Sequence, residues 1–178
     1  MNCRWLAGCV FVFFLFWSQP GRGAILPDSE LRVLFVEQAG QADINPLLIM
    51  AISKHESNYH PWALNIAGKS YKPGSRGEAL RLIRKAMASG RSFDIGLMQI
   101  NNWWLRRLKL TPEQILEPRN NVLVGAMILR QEIRKYGLTW RAIAAYHTPP
   151  DRNPGRGKAY AQNVLSHLRR IIRYLDKG

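Results

Sequence analysis

Carboxylates are scarce in this chain, 12 Asp and Glu against 26 Lys and Arg, and one of them, Glu56, is placed unlike the others. Asn45 reads as an N-cap and Pro46 as a first helical residue, where its missing N–H costs nothing. The run that follows, Leu47, Leu48, Ile49, Met50, Ala51 and Ile52, predicts a helix over 46–57 that is apolar on most faces and therefore buried. Glu56 lies at its far end, just before a polar stretch holding Asn58, Asn65, Gly68, Ser70, Pro73 and Gly74. A carboxyl there is partly desolvated and sits at the negative end of the helix dipole, and both effects disfavour ionisation. A carboxyl that stays protonated near neutral pH is what a general acid requires. The residues alone leave open a plainer reading, a surface glutamate at a frayed helix end. Glu30, Glu37, Glu78, Glu113, Glu117 and Glu132 fall in first turns or on polar faces, where solvation accounts for them. Asp94 either caps a loop or faces the same site as a second carboxylate.

Other chemistries find little support. His55-Glu56 begins like the zinc motif H-E-x-x-H, but Tyr59 stands at the second histidine position and His60 is out of phase. His147 and His167 are isolated in sequence, so neither a metal site nor any other cofactor is expected. No glycine-rich loop has phosphate-cradling spacing, and no Ser-His-Asp order stands out. Trp62, Trp103, Trp104 and Trp140 among many arginines allow a nucleic-acid reading, but tryptophan also stacks on sugar faces or fills cores.

Helices dominate the rest of the pattern. Asp28 or Ser29 opens one over about 29–40 with Gly40 as its stop, and Ser75 caps another over about 76–89. A short helix is expected over 102–108, a turn of helix at Thr111-Pro112, a long helix over 119–136 ending at Gly137, and a short one from Thr139 to His147. Pro149, Pro150, Pro154, Gly155 and Gly157 read as a loop before a basic amphipathic helix over about 158–175. The fold class is mainly α, with a small irregular or β insert, since residues 58–75 read as a loop that could hold short strands.

A composition of 47% apolar and 21% charged residues in 178 suits one globular domain rather than a disordered chain. Residues 1–24 read as a secretory signal: Arg4, an unbroken apolar run over 5–17, then Ser18, Pro20, Gly21, Gly23 and Ala24. That run falls short of the roughly 20 residues needed to span a bilayer, so no stable membrane span is expected. Both cysteines, Cys3 and Cys9, lie within residues 1–24, leaving residues 25–178 with no disulfide. The formal charge of +14 falls to +12 without Arg4 and Arg22, which favours acidic polymers as partners. For an exported protein these are cell-wall or membrane-surface material rather than a specific nucleic acid.

Three motifs occur in register. Residues 47–67, LLIMAISKHESNYHPWALNIA, hold Glu56, Ser57, Tyr59, Pro61 and Ala63; Gly96 to Ile100 read GLMQI; and Ala144, Ala145, Tyr146 and His147 close a helix. Together they resemble the soluble lytic transglycosylase-type (SLT) domain of the lysozyme-like superfamily, over about residues 44–172. The run FDIGLMQINNWWL is most similar to small members that accompany secretion, pilus or conjugation machinery.

The resemblance implies a lysozyme-like α+β fold with the β insert beside an active-site cleft. It implies cleavage of the MurNAc-GlcNAc β-1,4 bond of peptidoglycan glycan strands, in the periplasm or outside the cell, with a 1,6-anhydro-MurNAc end as product. Glu56 would be the catalytic acid and base. Ser57, Met98, Gln99, Asn101 and Tyr146 would be the substrate-binding set, with Tyr146 placed to bond Glu56. For Ser57, capping the helix end is an equal alternative, and for Met98 the core is the better one. His147 stands where the family usually has Asn. The alternatives are a muramidase-type hydrolase of the same bond, with Asp94 positioning water, a non-catalytic wall-binding accessory of a secretion or conjugation complex, and a basic nucleic-acid binder.

Overall fold

A computed structural model describes residues 27–149 and 151–177; the signal reading of 1–24, with Cys3 and Cys9, lies outside the described residues. The element order is α1 (Ser29–Ala42), α2 (Pro46–Ser57), β1 (Leu64–Ile66), β2 (Lys69–Tyr71), α3 (Arg76–Ala88), β3 (Phe93–Ile95), β4 (Ile100–Asn101), α4 (Asn102–Leu108), α5 (Pro112–Ile115), α6 (Pro118–Tyr136), α7 (Trp140–His147) and α8 (Pro154–Leu175).

The core is built around α2. Asn45 caps it by accepting the Leu47 N–H at 2.8 Å, with Pro46 at the first helical position. Ile49 and Ile52 are fully buried, and Glu56 follows them on the same face at helical spacing. The helix ends where Asn58 and Tyr59 adopt left-handed conformations, φ 55° and 65°. Helix α8 packs along α2, α7 lies against α8, and α6 packs on α1 and α7.

The irregular insert proves to be a four-stranded antiparallel sheet of very short strands, ordered β2-β1-β3-β4. Its register sets Asn65 opposite Asp94 and Asp94 opposite Asn101. Helix α3 carries a side of Ala79, Ile83 and Ala86 into the core and is held to α5 by its arginines. Arg76 donates to the Glu113 carbonyl at 2.9 Å, and Arg84 pairs with the Glu113 carboxylate at 3.3 Å.

Two expected boundaries move. Helix α1 runs through Gly40 to Ala42, because burying Ala42 offsets the roughly 1 kcal/mol cost of an internal glycine, and Asp43 supplies the left-handed cap. Helix α8 begins at Pro154 rather than near 158, capped by the Asn153 side chain, which accepts the Arg156 N–H at 3.0 Å.

Candidate functional site

The three motifs meet at one cleft of about 510 Å³, whose lining includes Glu56, Asn65, Asp94, Gln99, Asn101, Trp103, Trp104, Glu132, Tyr146 and His147. Glu56 is half-buried on its wall. Burial pushes its carboxyl up from the ordinary 4.5 to about 7; the Tyr160 hydrogen bond pulls the other way, and the nearby charge of Asp94 adds to the rise. At neutral pH a substantial fraction of Glu56 is therefore protonated.

The partner of that carboxyl is not the one expected. The Tyr160 hydroxyl, from α8, donates to Glu56 Oε1 at 2.6 Å. Tyr146 lines the cleft, but its hydroxyl donates to the Met98 carbonyl at 2.8 Å, so it braces the GLMQI turn rather than holding the acid. Tyr160 carried no motif signal that singled it out. The available hint was a tyrosine on the apolar side of a basic helix, in line with Val164 and Ile171, since a buried phenol needs a polar partner.

The turn between β3 and β4 is fixed from below by Asn121 of α6. Its carbonyl oxygen accepts the Met98 N–H at 2.8 Å, and its amide donates to the carbonyls of Ile95 at 2.9 Å and Ile115 at 3.1 Å. Gly96 sits over it at φ 79°, where an added Cβ would lie 2.4 Å from the Asn121 amide nitrogen. Asn121 is 1% exposed, so its truncation strands three buried backbone groups, each worth about 1–3 kcal/mol. Asn121→Ala is expected to lower unfolding free energy by about 3 kcal/mol in urea titrations. A loss below about 1 kcal/mol would show that the turn holds itself.

The remaining candidates separate into two groups. Gln99 and Asn101 line the cleft, but most of their hydrogen-bonding capacity serves the protein. Gln99, in a left-handed conformation at φ 45°, donates from Nε2 to the carbonyls of Ala63 at 3.0 Å and Gly96 at 2.9 Å. Its acceptor oxygen is what remains for a ligand, not the donor and acceptor pair expected from its chemistry. Asn101 donates to Asp94 Oδ1 at 2.7 Å and caps α4 through the Trp103 N–H at 2.9 Å. Ser57 and Met98 lie under the cleft. Ser57 is buried and donates to the carbonyls of Ser53 at 3.0 Å and Leu97 at 2.9 Å, while Met98 is fully buried against Gly125. Neither side chain reaches the cleft, which corrects the expectation that they touch substrate: the Ser57 hydroxyl is satisfied by a carbonyl one turn back in its own helix and by the Leu97 carbonyl of the turn between β3 and β4.

Asp94 does face the cleft, and burial raises its carboxyl against the lowering effect of the Asn101 bond. Glu132, expected on a solvated face of α6, also lines it and is raised by burial. Among the described residues no group of three or more His, Cys, Asp or Glu is arranged to hold a metal.

Comparison with known proteins agrees with this arrangement. The model of the transglycosylase SLT domain matches residues 34–163, most of the chain and all three motifs. The chain belongs to the SLT domain family. Among curated relatives, the invasion protein IagB of Salmonella typhi is 40% identical over 86 residues, 45% of this chain and 53% of that protein. Protein virB1 of Agrobacterium fabrum is 27% identical over 139 residues, 72% of this chain and 56% of that protein. The type IV secretion system protein virB1 of Brucella suis is 28% identical over 104 residues, 57% of this chain and 44% of that one. This SLT domain thus spans about half the length of the curated relatives it matches. An inactive mutant of the lytic transglycosylase Slt from Pseudomonas aeruginosa superposes with a TM-score of 0.55 over 82% of this chain and 24% of that one, at 20% identity. At that identity the likeness speaks to the fold, which is the lysozyme-like arrangement the motifs imply.

Proposed function

We propose that this SLT domain is a lytic transglycosylase that cleaves the MurNAc-GlcNAc β-1,4 bond of peptidoglycan with Glu56 as its acid and base. The observation that carries the reading is the Glu56 carboxyl, half-buried on the cleft wall and raised to about 7. Protonated Glu56 gives its proton to the glycosidic oxygen as the bond to C1 breaks, and the GlcNAc alcohol leaves. The carboxylate so formed takes the proton of the muramic 6-hydroxyl as that oxygen bonds C1. The product ends in 1,6-anhydro-MurNAc, no water is consumed, and Glu56 is reprotonated for the next cycle. Because the nucleophile belongs to the substrate, the second carboxylate of a two-carboxylate glycosidase is not needed. Tyr160 holds the acid in place, Asp94 on β3 and Asn101 on β4 line the same cleft, and the Gln99 oxygen and the Trp103 and Trp104 rings are available to sugar.

Residues 1–24 act in this reading as an export signal, leaving 25–178 as one domain working in the periplasm or outside the cell. Among the described residues no helix is long and apolar enough to cross a membrane. The names of the relatives, an invasion protein and a type IV secretion system protein, support local wall opening for a secretion or conjugation complex.

One observation favours a second reading, a hydrolase of the same bond: Asp94 is a cleft carboxylate close enough to Glu56 to raise it. Mass spectrometry of soluble fragments from digested sacculi separates the two. The transglycosylase gives 1,6-anhydro ends, and Asp94→Asn keeps them with a rate within about tenfold of native. Reducing ends alone, with a loss of about a hundredfold or more in Asp94→Asn, would establish the hydrolase instead.

A further inference from the structure

The hydroxyl that holds Glu56 is itself held by a residue the family pattern does not supply. The His147 imidazole, at the end of α7, stacks on the Tyr160 ring with centroids 4.8 Å apart and planes within 10°. His55 of α2 meets the same ring edge-on, at 5.0 Å and 82°. Tyr160 thus has an aromatic partner on its face and another at its edge, with its oxygen 2.6 Å from Glu56 Oε1. The phenol oxygen lies on the long axis of its ring, so it leaves Glu56 only when the whole ring tilts or slides, and a flat group laid on that ring opposes the tilt toward its face through contact over the whole ring. Asparagine, usual at position 147 in the family, has no such face.

We propose that His147 is a positioning residue: its ring, stacked on Tyr160, keeps the phenol hydroxyl aimed at Glu56 and so controls how readily that carboxyl gives up and retakes its proton. The proposal rests on the reading of Glu56 as the acid, but the clamp can be measured without it. The charged and titratable groups facing His147 are Tyr160 and Arg156 on α8 and His55 on α2, with Glu56 beyond the phenol. Burial, then the Arg156 guanidinium and His55, keeps the imidazole below its ordinary range. Near neutral pH it is therefore an uncharged plate. It orders Tyr160 without adding a positive charge that would drive Glu56 to ionise, which a lysine or arginine at this position would do.

The test is a carbon-13 NMR titration of glutamate side chains in the full chain, with the Glu56 signal assigned through Glu56→Gln, beside rates on sacculi. His147→Ala is expected to move the Glu56 midpoint upward by about 0.5–1 pH unit, because a loosened hydroxyl stabilises the carboxylate less. It is also expected to lower kcat about tenfold with KM within about twofold. His147→Phe, which keeps a flat ring and cannot titrate, should retain the native midpoint and most of the rate, and it carries the test if the alanine variant does not fold. Tyr160→Phe should abolish any further effect of His147→Ala, since one acts through the other. A native midpoint in His147→Ala, a phenylalanine variant that behaves like alanine, or additive shifts in the double variant would each overturn the proposal. A rise in KM alone would also do so, making His147 a sugar contact instead. If Glu56 is not the acid, the midpoint still moves while the rate does not, so the two ideas fail separately.

Discussion

Glu56→Gln is expected to slow digestion of purified cell walls by at least about a hundredfold, with KM little changed, because it removes the proton donor and keeps the size and shape of the side chain. General acid–base groups contribute about 10²–10⁴ in rate, and one group here performs both transfers. The amide still accepts from Tyr160, so the loss is chemical rather than structural. Zymography on wall-containing gels gives the first reading, and single-turnover digestion of sacculi gives the magnitude. The pH dependence follows with a definite sign. A general acid works in its protonated form, and the protonated fraction of Glu56 falls as pH rises through about 7. Activity in kcat/KM should therefore decline on the alkaline side with a midpoint near that value. Clearing by Glu56→Gln that matches native would remove this residue from the mechanism.

Tyr160→Phe should have the second largest effect and moves two observables in opposite senses. The hydroxyl donates to Glu56 and favours the carboxylate, so its removal raises the midpoint further. A hydrogen bond to a charged group is worth about 1.5–3 kcal/mol, which corresponds to about one to two pH units. The alkaline limb should shift upward by that amount. The rate at its plateau should fall about tenfold to a hundredfold, because the carboxyl that must retake a proton from the sugar is no longer held in position. Loss of packing alone would lower stability and rate without moving the limb. A fall in rate at an unchanged limb would therefore mean that Tyr160 fills space and nothing more.

The parts of this site that rest on local chemistry were legible in the sequence, and those that rest on how distant elements meet were not. Helix α2 could be read because Asn45, Pro46 and the run from Leu47 to Ile52 agree on its start, burial and length. Ser75 and Thr111 likewise announce α3 and α5 by caps that the structure contains. Pro154, Gly155 and Gly157 look like a loop in sequence, yet they form the first turn of α8. Proline fits the first helical position, and Gly157 serves packing, since a Cβ there would lie 3.2 Å from Ala144. The partner of Glu56 could not be read from motifs at all. It lies 104 residues away and depends on how α8 lies along α2. The family motif drew attention to Tyr146, whose hydroxyl instead fixes the Met98 carbonyl. What Gln99, Asn101 and Ser57 have left to offer a ligand is hidden in the sequence for a related reason. Type alone shows what Gln99, Asn101 and Ser57 can bond, whereas the fold determines how much of that capacity the backbone has already taken.

The proposed mechanism turns on Glu56 holding its proton near neutral pH. The most direct measurement is the titration of that one carboxyl in the native chain, followed by carbon-13 NMR. A midpoint near 7 is the expected result. A midpoint at the ordinary carboxylate value of 4.5 would mean that water reaches the group freely and that the chemistry lies elsewhere.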